Sequence, residues 1–205
     1  MCDQLHPRHH SRDDGLMAQG KSQSQQLRII GGKWRGRKVR FASQAGLRPT
    51  LGRTRETLFN WVRPSIHQAR VLDLFAGSGA LGFEALSQGA ERCVLVEKNR
   101  RTAQVLKDQA AQLECGPECV IECSDALAYL RRTDETFDLV FLDPPFDTPH
   151  LLEQSLAALP LSEHALIYVE TADLSHIEQL GKVNQLEIFK SARAGATHSA
   201  LLRGL

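Results

Sequence analysis

From Arg70 onward, short apolar runs alternate with stretches of helical spacing, and few folds accommodate that order. The pattern predicts strands over 70–75, 92–97, 119–123, 137–142, 165–170, 183–190 and 198–203. It predicts helices over 79–88, 100–113, 125–132, 149–158 and 173–180. Runs such as Phe137-Asp138-Leu139-Val140-Phe141-Leu142 are almost continuously apolar, as strands buried on both faces of a parallel sheet are. Strands joined through helices form right-handed crossovers, so a doubly wound α/β sheet is expected. The last two strands have no helix between them, which suits an antiparallel hairpin at one edge.

A chain of 205 residues can bury one good core. Its 42% hydrophobic and 24% charged content is that of an ordinary globular protein. No apolar stretch reaches the length of a membrane span, and the amino terminus lacks a signal-like apolar region. A cytoplasmic, monomeric protein is the expectation. Cys2, Cys93, Cys115, Cys119 and Cys123 form no even framework, so reduced thiols are expected. The 115–119–123 spacing is one residue too long for a radical-enzyme cluster, and the eight histidines show no ligand spacing.

The net charge of +1 hides an asymmetry. Between Arg28 and Glu56, nine basic residues face one acidic residue, a local +8. Residues 1–27 balance three against three, which leaves about −7 on the remainder. A basic arm on an acidic body is the footprint of polyanion binding by one face. Three units follow: an extension over 1–26 without apolar periodicity, a basic segment over 27–64, and a catalytic domain over 65–205. The basic segment reads as two short strands joined at Gly31-Gly32, then a helix from Thr54 to Val62 stopped by Pro64. Lys33, Arg35, Arg37, Lys38 and Arg40 are candidate RNA contacts. Trp34 can stack on a base or anchor the hairpin to the core.

Val71-Leu72-Asp73-Leu74-Phe75-Ala76-Gly77-Ser78-Gly79-Ala80-Leu81-Gly82 reads as strand, glycine turn and helix start. Such a turn lets backbone approach a ligand at a helix N-terminus. It satisfies the dinucleotide pattern, so an NAD-dependent oxidoreductase is one alternative. Asp73 lies inside the strand, however, where it can meet a cationic ligand group. Glu97 ends the next strand and can accept both hydroxyls of a ribose. Asp125, before Ala126, can accept from an adenine amine or cap a helix. Together these positions describe a pocket for adenosine carrying an amino acid, which suits S-adenosylmethionine better than NAD.

Asp143-Pro144-Pro145-Phe146 closes the fourth strand, where open α/β sheets place their ligands. Two prolines fix φ and remove donors, so the carbonyls around them are expected to point outward as acceptors. A carboxylate, carbonyls and an aromatic ring suit a planar base bearing an exocyclic amine.

Residues 73–82 resemble motif I of class I methyltransferases. Asp143-Pro144-Pro145-Phe146 resembles the motif of amino-group methyltransferases that act on nucleic acids. Arg28-Ile29-Ile30-Gly31-Gly32-Lys33-Trp34-Arg35-Gly36-Arg37 and Arg48-Pro49-Thr50…Arg55-Glu56-Thr57-Leu58-Phe59-Asn60-Trp61 are similar to the bacterial family that methylates N2 of guanine 966 in 16S ribosomal RNA. The likeness runs from about Leu27 to Ala194. Leu51-Gly52 stands where the family has Thr-Asp, and residues 194–205 keep only its Ala-Gly.

The resemblance implies a Rossmann-like class I methyltransferase fold, with S-adenosylmethionine held by Asp73, Phe75, Ala76, Gly77, Ser78, Gly79, Glu97, Asp125, Ala126, Arg48 and Thr50. It implies 16S rRNA as partner, within an assembling or finished small subunit, and neither metal nor covalent intermediate. Asp143 and Pro144 would accept the N–H groups of the guanine amine, and Phe146 would stack on a flipped base. Arg48 and Arg55 are expected near the cofactor rim. A catalytically inactive RNA-binding module with the same fold is the second alternative, and intact Asp143 and Glu97 argue against it.

Overall fold

The structure is a computed structural model that describes residues 24–42, 52–145 and 148–205. A seven-stranded sheet forms its centre. In chain order its strands are β3 (Arg70–Asp73), β4 (Arg92–Val96), β5 (Cys119–Glu122), β6 (Phe137–Leu142), β7 (Leu161–Thr171), β8 (Leu186–Ala194) and β9 (Thr197–Gly204). A separate hairpin pairs β1 (Ser24–Arg28) with β2 (Lys38–Ala42). The helices are α1 (Gly52–Val62), α2 (Ala80–Ser87), α3 (Arg100–Gln112), α4 (Ala126–Leu130), α5 (Pro149–Ala157) and α6 (Leu174–Val183).

Across the sheet the order is β5-β4-β3-β6-β7-β9-β8. The first five are parallel, and β9 runs antiparallel to both β7 and β8. The expected edge hairpin is therefore present. From β3 the chain winds outward to β5, then returns to lay β6 on the other side of β3. That reversal opens a crevice at the carboxyl ends of β3 and β6, the usual ligand position in such sheets.

Side-chain alternation along the strands feeds two cores. Val71, Leu95, Leu139 and Phe141 pack with Leu58, Phe59 and Val62 of α1, Phe83 of α2 and Leu106 of α3. Leu72, Val94, Val140 and Leu142 pack on the opposite face with Tyr129, Leu152 and Ile177 from α4, α5 and α6. Asp73, Glu97, Asp143 and Glu170 continue the strand phases of Val71, Leu95, Phe141 and Tyr168. All four carboxyl groups thus leave the strand tips toward the α1 side.

The hairpin differs from expectation in two ways. Ser24, Gln25 and Gln26, read as part of an extension, pair with Ala42, Phe41 and Arg40. Backbone pairing, not apolarity, recruits them. Trp34, in a short 3-10 turn over Gly32–Trp34, is only 6% exposed and lies in the α1-side core with Ile29 and Val39. Of its two readings the anchor is the one present, because a ring packed in the core leaves no face on which a base can stack.

The turn is clamped to α2. Ile30 N and Gly31 N each donate to the fully buried Glu84 at 2.8 Å, and Trp34 N donates to Ser87 Oγ at 2.9 Å. Gly32 has φ +75°, and a Cβ there would fall 1.7 Å from the Ser87 carbonyl oxygen. Only glycine admits so close an approach.

Candidate active site

After β3 the chain turns through Leu74–Gly79 into α2. Ala76 N donates to the Val96 carbonyl at 2.9 Å, which folds the turn over the tip of β4. Gly77 and Gly79 have φ of +48° and +73°. A Cβ at Gly79 would sit 2.6 Å from the Phe83 ring and 2.7 Å from Leu106. The glycine therefore satisfies backbone sign and packing together.

Two carboxylates, Asp73 and Glu97, organise this turn, and a third, Asp125, caps α4. Asp73 is 3% exposed, and its Oδ2 accepts from Gly82 N at 3.0 Å, fixing α2 to the strand end. Burial raises its pKa to about 7, with one backbone hydrogen bond opposing and Glu97 adding repulsion. Glu97 Oε2 accepts from Gly77 N at 3.1 Å and Oε1 from Asn99 N at 2.6 Å. Burial pushes the Glu97 carboxyl up, against those two bonds. Each Glu97 oxygen already holds a backbone amide, which the strand-end reading did not include. Asp125 accepts from Ala128 N at 3.2 Å as the N-cap of α4, and its Oδ2 lies 3.6 Å from Lys98 Nζ. Of the two sequence readings for Asp125, the cap is the one that the geometry contains. Ala126 is buried beside it.

Asp143 follows β6 directly across the crevice. Burial first, and then the charges of Glu170 and Asp73, raise its pKa to about 7. Among the described residues no donor bonds its carboxylate. Pro144 is buried and Pro145 exposed. The Pro145 carbonyl accepts from Thr148 N at 3.1 Å and Thr148 Oγ1 at 2.9 Å. This corrects the expectation that both proline carbonyls face outward, since the turn folds that of Pro145 back on itself. Phe146, Arg48 and Thr50 lie outside the described residues.

A family model described as "Conserved hypothetical protein 95" matches residues 27–203. Ribosomal RNA small subunit methyltransferase D of Escherichia coli K12 is 47% identical over 154 residues, covering 73% of this chain and 77% of that protein. The chain belongs to this methyltransferase family. A structure titled putative methyltransferase yhhF from Escherichia coli superposes with TM-score 0.78 at 39% identity, covering 88% of this chain and 98% of that one. The Thermus thermophilus 16S rRNA N2 G1207 methyltransferase (RsmC), in complex with AdoMet and guanosine, gives TM-score 0.70 at 18% identity, covering 89% and 50%, a likeness of fold.

In this methyltransferase the basic arm is only partly available to a ligand. Lys33 Nζ lies 3.2 Å from Glu118 Oε1 and 4.4 Å from the centroid of the Trp34 ring. Arg37 Nη2 donates to the Gln112 carbonyl at the end of α3. Arg35, Lys38 and Arg40 are exposed, and their side chains meet no acid among the described residues. Arg55, expected near the cofactor rim, is instead 4% exposed against Glu84 and the Arg28 carbonyl. This is a correction: on α1 its phase points at α2, not at the strand tips.

Two residues escaped the sequence reading. Glu84 looks like one helical acid among many, and only its distant partners reveal it. Glu170 ends the apolar run Leu166-Ile167-Tyr168-Val169 and carries the same strand-end signal as Asp73 and Glu97. Among the described residues no helix is long and apolar enough to cross a membrane.

Proposed function

We propose that this protein methylates the exocyclic N2 amine of one guanine in 16S ribosomal RNA, using S-adenosylmethionine. The observation that carries this reading is the placement of Asp143-Pro144 across the switch-point crevice from the glycine turn. The second support is electrostatic. Asp73 is buried and Asp143 half-buried, and their charged forms face no cation among the described residues. A ligand with a sulfonium and an ammonium group supplies the missing charge, whereas a dinucleotide would bring more negative charge.

When bound, S-adenosylmethionine would supply its sulfonium methyl group to the guanine N2, departing as the neutral thioether while the methylated amine gives up one proton. The chain's task is then to hold a poorly nucleophilic amine, whose lone pair is drawn into the ring. Asp143 and the Pro144 carbonyl accept its two N–H groups, which favours pyramidal nitrogen and stabilises the charge developing there. Glu97 anchors the glycine turn and has acceptor capacity for ribose hydroxyls beyond its two amide bonds. Gly77, Ser78 and Gly79 bring backbone against the cofactor. Arg35, Lys38 and Arg40 hold RNA phosphates. Small-subunit particles, acting as substrate for a cytoplasmic monomer, complete this reading.

Incubation with tritiated cofactor and small-subunit particles that lack the modification tests it. Label on N2 of a single guanine is expected. Label on another base, or none while the cofactor binds, would point to the inactive RNA-binding module.

A further inference from the structure

Beside Asp143 stands a second carboxylate whose placement is specified by the core. Leu142 of β6 pairs in register with Val169 of β7, so the next residues, Asp143 and Glu170, lie side by side on one face. Tyr168 is fully buried, and its hydroxyl donates to Glu170 Oε1 at 2.8 Å. With that proton committed, the tyrosine oxygen can accept from Ser199 Oγ, 3.2 Å away on β9. The Tyr168 ring packs edge-on against Phe141 at 6.3 Å, and Phe141 against Phe59 at 6.0 Å. A buried ring and a hydroxyl chain therefore orient one carboxylate at the mouth of the crevice. An orienting layer of this kind is what a recognition group requires.

Guanine presents N1–H immediately beside its N2 amine. Adenine and cytosine present a bare ring nitrogen next to theirs. If N2 faces Asp143 and Pro144, the neighbouring N1–H faces the next acceptor along the sheet edge. A carboxylate has about four acceptor directions, so one aimed by Tyr168 can accept from more than one donor at a time. We propose that Glu170 selects the base, its carboxylate accepting the guanine N1–H while Asp143 accepts from N2. Tyr168 is the positioning residue that aims it. The same carboxylate repels the lone pair that adenine or cytosine would offer there. This inference rests on the guanine-N2 reading above and adds to it the determinant of base choice.

The test is substrate RNA carrying 2-aminopurine in place of the target guanine. That base keeps the 2-amino nucleophile and replaces N1–H with a lone pair. Sites built to hydrogen-bond a substrate N–H reject analogues lacking it strongly, by about 10⁴-fold where the site is fully enclosed. For this open crevice a fall in kcat/KM of about 10²-fold or more is expected of the wild type. In Glu170→Gln the side-chain amide can donate to the 2-aminopurine nitrogen, so the guanine preference should collapse at least tenfold. Tyr168→Phe should narrow it partially, and cofactor Kd should stay the same in all three proteins. Wild-type enzyme that methylates both RNAs equally overturns the proposal without needing a variant. So does a preference unmoved in Glu170→Gln, or a Glu170→Gln effect confined to cofactor Kd. In each of those cases guanine N2 is still labelled and only the role of Glu170 falls. Absence of N2 label from the wild-type guanine arm would remove the underlying reading as well.

Discussion

Arg55 Nη1 stands 3.8 Å from Glu84 Oε2, with 5% of one side chain and none of the other exposed. Glu84 also collects Ile30 N, Gly31 N and Gln88 Nε2, and Arg55 Nη2 reaches the Arg28 carbonyl at 3.1 Å. A carboxylate with this many donors can be buried without prohibitive cost. It also gives α2 two tasks. The glycine turn of the cofactor site enters one end of this helix, and the basic hairpin is clamped near the other. Eight residues of helix span about 12 Å, so arm and cofactor are held by one rigid element.

Removing the hub should therefore damage the fold before it damages chemistry. Glu84→Ala strands a buried arginine and two backbone amides. Breaking a buried pair from one side costs about 3–5 kcal/mol, or roughly 6–20 °C in Tm for a chain of this size. Arg55→Met should cost much less, because Glu84 keeps its three N–H donors. Differential scanning calorimetry of both variants checks the asymmetry. Equal melting of Glu84→Ala and wild type would mean that the hairpin is not held through this carboxylate.

Asp143 and Glu97 should separate by what they affect. Asp143→Ala should lower the methylation rate about 10²–10³-fold, as loss of one preorganised acceptor does, while cofactor binding falls only modestly. Glu97→Ala should weaken cofactor binding by about 1.5–3 kcal/mol, as loss of charge-assisted bonds does. It should also loosen the turn, since Gly77 N and Asn99 N lose their acceptor. Single-turnover kinetics and calorimetric titration distinguish the two. Near-normal turnover by Asp143→Ala would dismiss it as the amine acceptor.

The raised carboxyl groups predict a coupling between pH and cofactor. Asp73 and Asp143, both about 7 in the fold against 3.8 for the free side chain, bind more protons folded than unfolded. Their contribution to stability is complete below pH 3.8 and is lost as pH rises through 7. Three units for a buried group correspond to at most about 4 kcal/mol each. A cationic ligand beside Asp73, Glu97 and Asp143 lowers these pKa values again. Cofactor binding should then release protons near pH 6.5 and tighten from pH 5.5 to 7.5. Titration calorimetry in buffers of differing ionisation enthalpy measures the release directly. Proton uptake, or none, would place the cationic groups elsewhere.

The sheet was legible because buried parallel strands are apolar on both faces, so each appears as an unbroken run ending in a charge. Asp73, Glu97 and Asp143 stood out for that reason, and Glu170 obeys the same rule. Other features depend on partners far away in sequence. Nothing near Glu84 announces that Ile30 and Gly31, more than 50 residues earlier, donate to it. Trp34 sits among basic residues, where local sequence allows stacking or anchoring alike, and only its distant packing partners decide for the anchor. Arg55 belongs to the basic count by sequence and to the core by helical phase.

That redistribution sharpens what to expect of the arm. Of the six arm residues read as RNA contacts, Trp34 is in the core, Lys33 pairs with Glu118, and Arg37 holds the end of α3. Arg35, Lys38 and Arg40 are left to meet phosphates. Changing these three together to Ala should weaken RNA binding and flatten its salt dependence. For single strands the slope should fall by about 0.7 for each phosphate no longer neutralised, roughly 2 in all. Melting temperature and cofactor Kd should hardly move, since the three side chains are exposed and belong to the hairpin, not to the glycine turn. Trp34→Ala should do the opposite. It costs about 3–5 kcal/mol of stability through the cavity it leaves, and at temperatures where it stays folded its salt slope should match wild type. RNA affinity measured against salt concentration, alongside thermal melts, reads both halves. Parallel salt lines for the triple variant would move the RNA surface off the hairpin, and a slope change in folded Trp34→Ala would return the indole to the interface.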